Sequence, residues 1–86
     1  MEQHYLTNEQ IAAFASSLVR AERTPATIEK YLRSVRAFFL YLDGQPVTKD
    51  AVVAWKEHLQ SVGGYSPSTV NASLAALNDL FTFLGW

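Results

Sequence analysis

The sequence predicts an all-α fold: four helices packed as a compact orthogonal or bundle-like array. Three observations carry this. Four segments show apolar residues at steps of three and four, each preceded by a hydroxyl residue suited to cap a helix. No segment shows the alternating pattern and tight turns of a hairpin. The second and fourth segments can also be laid over one another without a gap. Ser66 falls on Thr24, Pro67 on Pro25, Thr69 on Thr27, Val70 on Ile28, Leu74 on Leu32, Leu77 on Val35, Phe81 on Phe39 and Leu84 on Leu42. Two copies are too few for a solenoid, so they read as two similar long helices within one domain spanning residues 1–86.

Taken in order, residues 1–6 form a short arm from which Tyr5 and Leu6 are expected to reach the core. Thr7-Asn8-Glu9-Gln10 has the form of a capping box, opening a helix from Asn8 to Arg20 or Ala21. Ile11, Phe14, Ala15 and Leu18 make its apolar face, and Glu9 and Arg20 suit the dipole at its two ends. After a short connector, Thr24 caps the second helix and Pro25 takes the first helical position, where no N–H is needed. Ile28, Tyr31, Leu32, Val35, Phe38, Phe39 and Leu42 form its apolar stripe, and Asp43-Gly44 stops it. Its 18 residues span about 27 Å. Thr48 caps the third helix, with Asp50 in the first turn, an apolar stripe of Val52, Trp55, Leu59 and Val62, and a Gly63-Gly64 stop. Lys49, Lys56, Glu57 and Gln60 fall on its solvent side. Ser66 caps the fourth helix, whose buried face is Val70, Leu74, Leu77, Phe81 and Leu84, joined by Leu80. Ser68, Asn71, Ala72, Ala75, Asn78, Asp79 and Thr82 form its other face. The abrupt aromatic end at Gly85-Trp86 predicts a further domain beyond it.

Totals narrow the function classes. Hydrophobic residues make up 49% of the chain and aromatic residues 13%, which favours folding over disorder. With no cysteine there is no disulfide framework, thiolate zinc site or cysteine nucleophile, and a reducing, cytoplasmic location is expected. No apolar segment follows residues 1–6 as in a signal peptide, and no run approaches the ~20 residues that span a bilayer. The net charge of −1 argues against strong autonomous binding of nucleic acid, but a local basic face is still possible.

One such face exists. Lys30, Arg33 and Arg36 lie roughly opposite the apolar stripe of the second helix, and Arg23 precedes its cap. The stripe reads either as a solvated helix face or as a phosphate-contacting one. No catalytic constellation accompanies it. His4 and His58 show no metal-ligand spacing and read as surface residues, the acidic residues are scattered, and Gly63-Gly64 lacks the flanking elements of a phosphate loop. Trp55 and the phenylalanines sit at helical spacing and read as core. No metal, cofactor or catalytic residue is therefore expected.

The ordered signals form a more specific set than any one of them. Thr-Pro-x-Thr-Ile-x-x-Tyr-Leu-x-x-Val-x-x-Phe-Phe-x-Tyr-Leu is followed by Val-Thr-x-x-x-Val-x-x-Trp-x-x-x-Leu. Gly-Tyr-Ser-Pro-Ser-Thr-Val-Asn-x-x-Leu-x-Ala-Leu-x-x-Leu-Phe-x-Phe-Leu completes the series. From about Thr7 to Trp86 the chain closely resembles the N-terminal core-binding domain of tyrosine recombinases and phage integrases, a SAM-like helical domain. The resemblance implies half of a clamp around double-stranded DNA. The other half would be a C-terminal catalytic domain carrying the tyrosine nucleophile, so Tyr5, Tyr31, Tyr41 and Tyr65 are not that nucleophile and this chain alone is not expected to cleave DNA. Other recombinase protomers on the DNA are further expected partners, and no membrane is. By position, the family's DNA-facing residues fall on Thr24, Thr27, Lys30 and Arg33 of the second helix, and on Ser66, Ser68, Thr69, Asn71, Ala75 and Asn78 of the fourth. Arg23 and Arg36 extend the basic side. Family members often carry arginines on the fourth helix, where this chain has Ala72 and Asn78 beside Asp79. A protein–protein interaction module with little DNA affinity is the alternative reading.

Overall fold

The computed structural model describes residues 4–86 as four helices. These are α1 (Asn8–Arg20), α2 (Pro25–Leu42), α3 (Lys49–Ser61) and α4 (Pro67–Leu84). Each begins where a side-chain oxygen accepts an otherwise unsatisfied N–H. Thr7 accepts from Gln10 N–H while the Gln10 side chain accepts from Thr7 N–H, closing the capping box. Thr48 accepts from Ala51 N–H at 3.0 Å.

The two long helices open identically. Thr24 and Ser66 share φ −66° with ψ 150° and 157°, and each is followed by proline. The hydroxyl of each cap accepts the N–H of the residue three positions on, Thr27 or Thr69. The same hydroxyl pairs with that residue's own, at 2.9 Å for Thr24–Thr27 and 3.1 Å for Ser66–Thr69. The repeat read from the sequence is thus a repeat of cap chemistry as well as of apolar spacing. Asp43 and Gly44 both take left-handed conformations at the end of α2, φ 48° and 84°.

Successive helices pack into a slab whose Cα atoms span 34 × 34 × 17 Å, about two helix diameters thick. The core centres on Phe38. It is fully buried, and its ring packs T-shaped with Trp55 from α3 (centroids 5.9 Å apart) and Phe81 from α4 (6.3 Å). Phe14, Leu18, Val35, Val70, Leu77 and Leu80 are buried around it.

Several sequence expectations need correction. The stripe of α2 is not among them: Val35, Phe38 and Leu42 are buried, and Ile28, Tyr31, Leu32 and Phe39 are partly buried against the core. Ala15 on α1 is only half-buried. On α4, Leu74, Phe81 and Leu84 are also half-buried, while Ser73 and Ala76 are buried. The buried side of α4 is rotated from the aligned stripe because α4 meets α1, α2 and α3 together. Small residues there let the helices approach, a preference invisible to apolar periodicity. Ala72 and Asp79, assigned to the outer face, are half-buried for the same reason. Val62 is 74% exposed, because α3 ends at Ser61 and Val62 is only its cap.

The arm is partly docked. Leu6 is buried and Tyr5 is not. His4 pairs with Val47 in an isolated antiparallel bridge, the His4 carbonyl accepting Val47 N–H at 2.6 Å. His4 is exposed, the surface position expected of it, and its ring stacks on Trp86 with centroids 4.6 Å apart. His58 is half-buried and packs with Trp55 and Tyr41, centroids 5.6 and 5.0 Å away.

Replacing Phe38 with Ala is expected to cost about 3–5 kcal/mol, read as a fall in the urea midpoint. Leu40→Ala is the control: its side chain is 75% exposed, and the change should stay within about 0.5 kcal/mol.

Candidate nucleic-acid interface

The apolar stripe of α2 turns toward the core, so its cations must face water. Lys30, Arg33 and Arg36 are all exposed, but they do not share one stripe. Two grooves flank α2. One lies against α1 and is walled by Val19, Ile28, Leu32 and Leu40, with Arg23, Glu29 and Arg36 among its lining. The other joins α2 to the end of α3 and the start of α4, and here Lys30 and Ser34 share a groove with His58, Tyr65, Ser68 and Thr69. Arg33 and Ala37 line both grooves and so mark the ridge between them.

The predicted residues therefore separate into distinct groups. Lys30, Arg33, Ser68 and Thr69 come together in the α2–α4 groove. Arg23 and Arg36 meet Arg33 in the α1–α2 groove. Asn71, Ala75 and Asn78 are exposed on α4 and line neither groove. Thr24 with Thr27 and Ser66 with Thr69 are paired at the two caps, where their hydroxyls complete the first turns, and Thr69 does so from within the α2–α4 groove.

The electrostatics are uneven. Arg33 Nη2 donates to Glu29 Oε1 at 3.1 Å, with both side chains about three-quarters exposed. Arg23, Lys30 and Arg36 have no ion pair among the described residues. Sequence reasoning passed over Glu29, although its i,i+4 spacing to Arg33 is the favourable order for a helical ion pair. It also passed over His58 and Tyr65, which add aromatic surface to the α2–α4 groove. The helical spacing of His58 from Trp55 was the available signal. Trp55 itself lines this groove, and its buried indole N–H has no hydrogen-bond partner among the described residues.

Comparison with known families decides the affiliation. Residues 6–86 match the family described as phage integrase, N-terminal SAM-like domain. The chain belongs to this family. That places it among phage integrases and tyrosine recombinases, and the four-helix all-α structure fits the SAM-like domain that family names. Comparison with curated proteins and with solved structures gives no match. Among the described residues of this integrase-family domain, no three His, Asp or Glu side chains gather where a metal ion could be held. No described helix is long and apolar enough to cross a membrane.

Because Lys30 and Arg33 are exposed, their role is separable from folding. Lys30→Ala and Arg33→Ala should each shift stability by no more than about 0.5 kcal/mol in thermal melts. A larger loss would assign them a packing role.

Proposed function

We propose that this domain binds double-stranded DNA as one half of a recombinase clamp. Its partner in the clamp is a C-terminal catalytic domain of the same parent protein, which carries out strand cleavage and rejoining in site-specific recombination or integration. The observation that carries the reading is the α2–α4 groove. In a chain of the integrase family, it joins two cations, Lys30 and Arg33, to the hydroxyls of Ser68 and Thr69 at the first turn of α4.

The chemistry suits a phosphate backbone. Lys and Arg supply charge, Ser and Thr supply short hydrogen bonds, and the start of α4 offers a positive dipole end. Arg23 and Arg36 add charge from the α1–α2 groove on the other side of the ridge, and the cap hydroxyls of Thr24, Thr27 and Ser66 lie at the helix starts. Asn71, Ala75 and Asn78 present an uncharged surface to the same duplex. With one basic helix and a net charge of −1, the isolated domain should bind non-specifically, with Kd on the order of 10⁻⁴–10⁻⁶ M. The clamp, not this half alone, supplies tight binding.

A second reading has its own support. The near-neutral balance and the absence of Lys or Arg from α4 suit a protein–protein module, with neighbouring protomers as the partner.

Titration of a short duplex by fluorescence anisotropy at several salt concentrations tests the proposal. The Lys30→Ala/Arg33→Ala double variant should weaken binding and flatten the dependence of log K on log salt by about 0.9 for each phosphate no longer neutralised. Asn78→Arg should strengthen binding and steepen the slope by a similar step. A wild-type domain silent at the lowest salt, with concentration-dependent self-association, would favour the second reading.

A further inference from the structure

Arg33 occupies the ridge shared by both grooves and is the cation best placed to reach a phosphate from either side. It is also the one cation of α2 held by a carboxylate among the described residues. The carboxylate that holds it belongs to the α1 side of the ridge: Glu29 lines the α1–α2 groove and not the α2–α4 groove, whereas Arg33 lines both. Lys30, the other cation of the α2–α4 groove, has no such partner.

We propose that Glu29 is a positioning residue that tethers Arg33 by its ion pair, competes with phosphate for the guanidinium and so attenuates phosphate binding in the α2–α4 groove. The inference rests on the DNA-binding reading above and adds a regulator to that site. An arriving phosphate competes with Glu29 for the same guanidinium and also meets its negative charge. The attenuation is partial, because a guanidinium carries five N–H donors and Glu29 engages one nitrogen. Both side chains are solvent-exposed, so the tether exchanges readily and is screened by salt. The domain would then hold DNA loosely enough to depend on the rest of the clamp.

The test is duplex binding by anisotropy across a salt series for wild type, Glu29→Gln, Arg33→Ala and the Glu29→Gln/Arg33→Ala pair, with Glu29→Gln also made in a Lys30→Ala background. Glutamine keeps the length and helix preference of glutamate, and circular dichroism checks the fold. Glu29→Gln is expected to bind about 3–10-fold tighter at low salt, with a slope steeper by about 0.9, one added phosphate contact. The gain should vanish when Arg33 is Ala and persist when Lys30 is Ala. A gain of equal size in the Arg33→Ala background would reduce Glu29 to one unit of net charge and overturn the tether. So would wild-type binding that Glu29→Gln leaves unchanged. Wild type and Glu29→Gln both silent at the lowest salt would instead remove the DNA-binding reading itself, and the tether with it.

Discussion

The structure depends on the seam between α2 and α4, closed by Phe38. A phenylalanine there contributes one large rigid side chain that touches α3 and α4 at once, through T-shaped contacts with Trp55 and Phe81. Because the ring is fully buried, its position dictates which side of α2 faces inward. Every other feature of α2 follows from that choice. The sides of α2 away from Phe38 are left to water, with Arg33 and Arg36 on the far side and Lys30 on the flank toward α4. The seam thus sets the basic surface by exclusion.

That surface is modest, and its modesty is informative. The proposed clamp would divide the work of holding a duplex between two domains, so neither half must bind tightly alone. A domain with balanced charge can release DNA at physiological salt, since salt cations compete with its few basic side chains for every phosphate. The polar, uncharged outer face of α4 fits the same division. Asn71 and Asn78 offer hydrogen bonds without the long-range attraction that would trap the domain on any duplex.

Two aromatic assemblies run from the core to the surface and tie the slab together. Tyr41, Trp55 and His58 bridge α2 and α3 beside the α2–α4 groove, giving that groove a stiff wall. At the other side, His4 and Phe81 both stack on Trp86, while the His4 backbone pairs with Val47. The first and last described residues therefore meet.

Much of the fold was legible in the residues themselves. Four helices, their caps and their ends follow from local chemistry: hydroxyl oxygens at Thr7, Thr24, Thr48 and Ser66, prolines at two first turns, and a left-handed stop at Asp43 and Gly44. These interactions span a few residues, so the order of side chains along the chain is enough to specify them. The repeat of α2 in α4 was legible for the same reason, and so was the family. What tertiary structure alone decided is which part of each amphipathic surface is buried and which charges meet. Ser73 and Ala76 went inside because three helices converge on α4, and periodicity counts apolar residues without counting neighbours. Lys30 and Arg36, about 120° apart on the helix, fell into different surroundings because packing opened a groove on each side of α2, and a helical wheel has no grooves. Sequence determines a helix through neighbours three and four residues apart, but a surface is made by residues distant in the chain, and only the packed structure brings them together.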